Sequence, residues 1–79
     1  MDRETSRILV IAGDNLRAER SRRGLSQEEL AHRTGLGTTQ IARMERGESD
    51  TGLSRYVRAA WALEVSPRLL FQDLDSADG

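Results

Sequence analysis

The 79-residue chain contains no cysteine, one histidine, one proline, and one each of Phe, Trp and Tyr. Without cysteine there is no disulfide framework, thiolate zinc site or cysteine nucleophile, and the redox compartment stays open. The only histidine, His32, has no second ligand at i+4 and reads as a surface or boundary residue rather than a metal ligand or base. The longest apolar runs, Ile8 to Ala12 and Ala59 to Leu63, are five residues each. A bilayer span needs about 20, and a secretory leader also needs more. No membrane segment is expected, and a soluble, cytoplasmic chain is. No phosphate-binding glycine loop with its lysine occurs, nor any histidine beside a nucleophile. The chain is therefore read as no enzyme, with no metal and no cofactor.

Apart from alanine, the apolar set is ten Leu, three Ile, three Val, two Met and the three aromatics. That suffices for one core of short helices, in a single small domain spanning residues 1–79. The net charge of −1 argues on its own against a nucleic-acid partner. Its distribution argues the other way. All twelve basic residues are arginine; from Ser6 to Phe71 there are 11 Arg against 8 acids, whereas Gln72 to Gly79 holds three Asp and no base. Arg17, Arg20, Arg22 and Arg23 crowd one segment, a run that by itself fits a solvated helix face.

Punctuation divides the chain into five helical pieces, and no period-2 run of β-branched residues suggests a sheet, so the fold is expected to be all-α. The first piece runs from Ser6 to Arg23, with Ile8, Ala12 and Leu16 at i, i+4 and i+8 and Gly24 as a left-handed cap. The second starts at Ser26, where Ser26-Gln27-Glu28-Glu29 makes a capping box and Leu25 with Leu30 a hydrophobic staple, and stops at Gly35. Leu36 and Gly37 alone separate it from a third helix, Thr38 to Arg46, which buries Ile41 and Met44 and ends at Gly47. Helices joined so tightly must cross steeply. Asp50 is the expected cap of a fourth helix, whose inward stripe is Leu53, Tyr56, Val57, Ala60 and Leu63. Ser66-Pro67 opens a fifth, with Val65 and Leu70 as its staple. The acidic tail, residues 75–79, is expected to be disordered.

Residues 27–46, QEELAHRTGLGTTQIARMER, place a small Ala31 where the helices meet, a positive-φ Gly35 in the turn, and Leu30, Leu36, Ile41 and Met44 toward the core. With Gly24, the SQEEL start, the ERG ending at Gly47 and the ALEVSP segment Ala62 to Pro67, the chain resembles the XRE/Cro-C1 family of helix-turn-helix DNA-binding proteins over about residues 13–71. Among its members it is most like small regulators such as restriction-modification controller proteins. The resemblance implies a five-helix, lambda-repressor-like domain that binds double-stranded DNA. On a helical wheel with Ile41 and Met44 inward, Thr39, Arg43 and Arg46 point outward, with Thr38 in the exposed first turn. Thr38, Thr39 and, less centrally, Gln40 can meet base edges, and Arg43 can present a fork to guanine. Arg46 lies farther back and suits phosphate. Gln27 matches the family glutamine that anchors a helix end to the DNA backbone. Arg20 and Glu45 match a family ion pair and are assigned to structure.

The chain departs from the family in three places. Gly37 replaces the usual Ser or Thr cap, Thr51 replaces a frequent proline, and the loop Glu48-Ser49-Asp50 is acidic where relatives carry phosphate contacts. The loop is therefore left out of the DNA anchors. Leu69, Phe71 and Leu74 cannot all share the inward stripe with Leu70, and Trp61 lies off the fourth-helix stripe; these four form the expected homodimer surface. The function expected is a transcriptional regulator acting as a homodimer on an inverted-repeat operator. The competing reading is an antitoxin or another protein-binding helix-turn-helix module with secondary DNA contact. No residue pattern identifies a toxin or RNA polymerase partner.

Overall fold

Asp2 sets where the first helix begins. In the computed structural model, which describes residues 1–74, its Oδ1 accepts the Thr5 N–H at 2.7 Å, and α1 runs Arg3–Arg22 rather than from Ser6. That cap lies upstream of the apolar stripe, where periodicity carries no signal. Helix α2, Gln27–Thr34, starts at the capping box: Ser26 Oγ accepts the Glu29 N–H at 3.0 Å, and Glu29 Oε1 accepts the Ser26 N–H at 2.9 Å. That bond from the Ser26 backbone holds the Glu29 carboxyl below the usual carboxylate range. Gly35, at φ +77, turns the chain out of α2 and toward α3, Thr38–Arg46.

Two expectations about α4, Leu53–Ala62, are corrected. Its N-cap is Gly52, with no side-chain capping bond; the turn at φ +90 delays the helix past Asp50, which therefore caps nothing. Leu53 is 67% exposed although it shares the wheel direction of Ala60. It lies about two turns nearer the helix start, past the edge of the core. The inward face of α4 is Tyr56, Ala59 and Ala60, continued by Leu63.

The fifth helix is also corrected: Pro67–Leu70 makes one 3-10 turn, so the described residues form four α-helices and that turn, with no strand. Ser66 caps it as expected. The chain leaves helical geometry beyond the turn, with Asp73 at φ +71, and Asn15 Nδ2 fastens this segment to α1 by donating to Leu70 O at 3.0 Å and to Gln72 O at 2.9 Å. The expectation for residues 75–79 lies outside the described residues.

All elements close on one core of Ala12, Leu16, Leu30, Ala31, Ile41, Met44, Tyr56, Ala59, Ala60, Leu63 and Leu70, with Leu25, Leu36, Val65 and Phe71 packed against it. The ends of α2 and α4 are fastened to each other. Arg58 Nη2 donates to Thr34 O at 2.6 Å, and Arg33 Nη1 reaches Ala62 O at 3.4 Å.

Helix α3 lies so close to α1 that no side chain fits between them at Gly13. A Cβ there would stand 2.3 Å from Met44 O and 2.7 Å from Glu45 O. In an open helix Gly→Ala is favourable by about 1 kcal/mol. Here the sign reverses: Gly13→Ala should destabilise by about 1–3 kcal/mol, since backbone must move to admit the methyl group. Urea denaturation measures this, and an unchanged or raised midpoint would show that the helices can separate at little cost.

Candidate nucleic-acid interface

The orientation of α3 is set by a carboxylate that is almost fully enclosed. Glu45, 4% exposed, accepts from Arg20 Nε at 2.6 Å and Arg20 Nη2 at 3.0 Å, and from Gln27 Nε2 at 3.0 Å. Arg20 also donates from Nη1 to Leu25 O at 2.7 Å. One side chain of α3 thereby holds α1 and the start of α2. The hydrogen bond to Glu45 raises the Arg20 pKa above its ordinary value, against the opposing effect of burial. Gln27, expected to bind phosphate, spends one amide N–H on Glu45, a bond that the sequence reading missed. Sequence spacing gave no sign that residues 18 positions apart would meet.

The opposite side of α3 faces solvent. Thr38, Thr39, Arg43 and Arg46 are exposed and Gln40 is half-buried, while Ile41 and Met44 are fully buried. Gly37 supplies no side-chain capping bond, so the first amides of α3 have no side chain over them. Arg43 has no carboxylate within ion-pair distance among the described residues. Arg46 is engaged: its Nε donates to Glu48 Oε2 at 2.6 Å and its Nη2 to Glu48 Oε1 at 3.1 Å.

The arginine cluster of α1 is largely tied to the fold. Arg22 pairs with the buried Glu19, Arg23 Nε donates to Leu63 O at 2.8 Å, and Arg17 is exposed. The four residues expected at a dimer surface are divided. Phe71 packs its ring on Tyr56, with centroids 6.3 Å apart, and is half-buried, as are Leu69 and Leu74. Trp61, 67% exposed, stands instead beside Arg33, Thr34 and Arg58 at the α2 side of α4. With exposed Leu53 and half-buried Val57 it continues an apolar line at i, i+4 and i+8 that sequence reasoning missed, having turned Leu53 inward. His32 is exposed, and no helix among the described residues is long and apolar enough to cross a membrane.

Two short helices joined by a glycine turn, the second exposing a polar face, define a helix-turn-helix unit. Residues 16–70 match the helix-turn-helix family HTH_3, and the chain belongs to that XRE-like family. It is 43% identical over 64 residues to the control protein C.SmaI of Serratia marcescens, covering 80% of this chain and 76% of that one. An uncharacterized transcriptional regulator in the ATPase CF(0) region of Rhodospirillum rubrum is 38% identical over 66 residues; the match covers 84% of this chain and 61% of that protein. Among solved structures, the restriction-modification controller protein C.AhdI from Aeromonas hydrophila superposes with a TM-score of 0.80 at 39% identity. That superposition covers 84% of this chain and 96% of C.AhdI.

Removing the Glu45 carboxylate leaves Arg20 and Gln27 without their acceptor. Glu45→Ala should destabilise the protein by about 3 kcal/mol, the low end for a broken buried pair. Chemical denaturation checks it; a midpoint equal to the parent's would mean that water replaces Glu45 without penalty.

Proposed function

We propose that this chain is a sequence-specific double-stranded-DNA-binding transcriptional regulator that acts as a homodimer on an inverted repeat, in the manner of a restriction-modification controller protein. The observation that carries the reading is the two-sidedness of α3. Ile41 and Met44 are sealed in the core while Thr38, Thr39 and Arg43 stand free on the other side. A helix presented in this way fits a major groove, where threonines reach base edges or thymine methyls and an unpaired arginine forks onto guanine O6 and N7. Arg46 and the remaining N–H of Gln27 take phosphate oxygens, which set register rather than specificity. The similarity to the control protein C.SmaI and to the restriction-modification controller protein C.AhdI supports the same reading.

Selection from random duplexes followed by footprinting tests it. Two inverted half-sites are expected, their centres about 10 bp or a small multiple apart. Failure to enrich any site would favour the protein-binding alternative. On the selected operator, Arg43→Ala should cost about 1–3 kcal/mol per half-site and relax preference mainly at one base pair. Arg46→Ala should weaken all sequences alike and lower the salt slope by about one unit per phosphate contact removed, one contact in each half-site. Reversed behaviour would exchange the roles of the two arginines.

The homodimer is supported by the exposed line Leu53, Val57 and Trp61 and by Leu69, Phe71 and Leu74, which remain half-buried. Light scattering at micromolar concentration should give twice the chain mass. Trp61→Asp and Leu69→Asp should each shift it toward the monomer. A monomer mass for the parent protein, or two dimeric variants, would exclude these surfaces.

A further inference from the structure

The end of α3 carries a contact that DNA binding leaves without a role. Glu48 places both carboxylate oxygens on the Nε–Nη2 edge of Arg46. The backbone fixes where Glu48 stands: Gly47, at φ +69, donates its N–H to Met44 O at 3.1 Å, and the Glu48 N–H donates to Arg43 O at 3.0 Å. This is the Schellman arrangement that ends a helix. Its turn is backed by α1, since a Cβ on Gly47 would lie 2.7 Å from Val10 Cα. The hydrogen bond from Arg46 holds the Glu48 carboxyl below its usual range, with a smaller contribution from the charge of Arg43. One carboxylate thus neutralises much of the exposed positive end of α3.

A carboxylate set side-on to a guanidinium presents two oxygens much as a phosphate does. Both side chains are about half exposed, 54% for Arg46 and 52% for Glu48. The pair is solvated, and such pairs open readily. We infer that Glu48 is an internal stand-in for a DNA phosphate, occupying Arg46 in the free protein and giving it up to the DNA backbone on binding. The inference rests on the DNA-binding reading. It turns the Arg46 contact into an exchange rather than an addition, so Arg46 adds less to binding on every sequence than a free arginine would. Contacts to base edges then carry a larger share of the affinity, while the difference between sequences stays the same, because the exchange costs the same on each.

The test is titration of a mixed-sequence duplex with the parent, Glu48→Gln, Arg46→Ala and the double variant at several salt concentrations. Glu48→Gln should tighten binding about two- to fivefold, the range of an exposed ion pair. Its salt slope should equal the parent's, because Arg46 meets phosphate in both. Arg46→Ala should lower the slope by about 0.9 per bound subunit in either background and remove most of the gain from Glu48→Gln. A slope steeper by about 0.9 per bound subunit for Glu48→Gln alone would mean that the pair survives in the parent complex, and would overturn the exchange. So would an equal gain without Arg46, where Glu48 acts only as a repelling charge, or no gain, where it supports Arg46. If the parent shows no salt-dependent binding at all, the DNA-binding reading falls and takes the exchange with it. If the parent binds and Glu48→Gln matches it, only the exchange falls.

Discussion

Every helix of the helix-turn-helix unit is positioned through Glu45. A carboxylate enclosed to this degree is tolerable only when its oxygens are paired, and here three N–H groups from α1 and α2 reach it. Its backbone is held as well. The carbonyls of Met44 and Glu45 press on α1 at Gly13, two helical turns before Arg20, the residue that grips the side chain. Main chain and side chain of one residue therefore fix both the depth and the rotation of α3 against α1. A rotation that improved one contact would break the other.

The same accounting applies to the charge of a chain whose net charge is −1. Arginine is its only basic side chain apart from His32, and much of it is spent on the fold. Arg20 serves Glu45 and Leu25, Arg23 closes on Leu63, Arg55 reaches Thr51 O, and Arg58 caps α2. The planar fork suits these tasks, since one guanidinium can satisfy a carboxylate and a carbonyl together. The arginine excess between Ser6 and Phe71 thus overstates the charge available to a partner. What remains on the exposed side of α3 is Arg43, together with an Arg46 that Glu48 already holds.

The helices were legible where the signals are local. The capping box at Ser26, the left-handed glycines at Gly35 and Gly47, and the inward pair Ile41 and Met44 are patterns within one or two turns, and they place α2 and α3 as found. The misreadings came from interactions that sequence spacing does not encode. The last helix is a 3-10 turn followed by a positive φ at Asp73, in a segment that Asn15 ties to α1 from 55 residues away. Gly52 moves the start of α4 past Asp50, and the edge of the core leaves Leu53 in solvent. On the candidate face, the outward direction of Thr38, Thr39 and Arg43 followed from periodicity. The partners of Gln27 and Arg46 did not, because each depends on how a turn or a neighbouring helix brings a carboxylate alongside.

The separation of duties on α3 has a consequence for how such a protein can change. Its buried side chains and its backbone contacts with α1 all lie on one side, and its exposed side chains make no contact that the core needs. Replacing Thr38, Thr39 or Arg43 therefore leaves Ile41, Met44 and Glu45 with every neighbour they have now. The exposed side of α3 can therefore vary among descendants of one ancestor while the contacts that frame the fold stay the same.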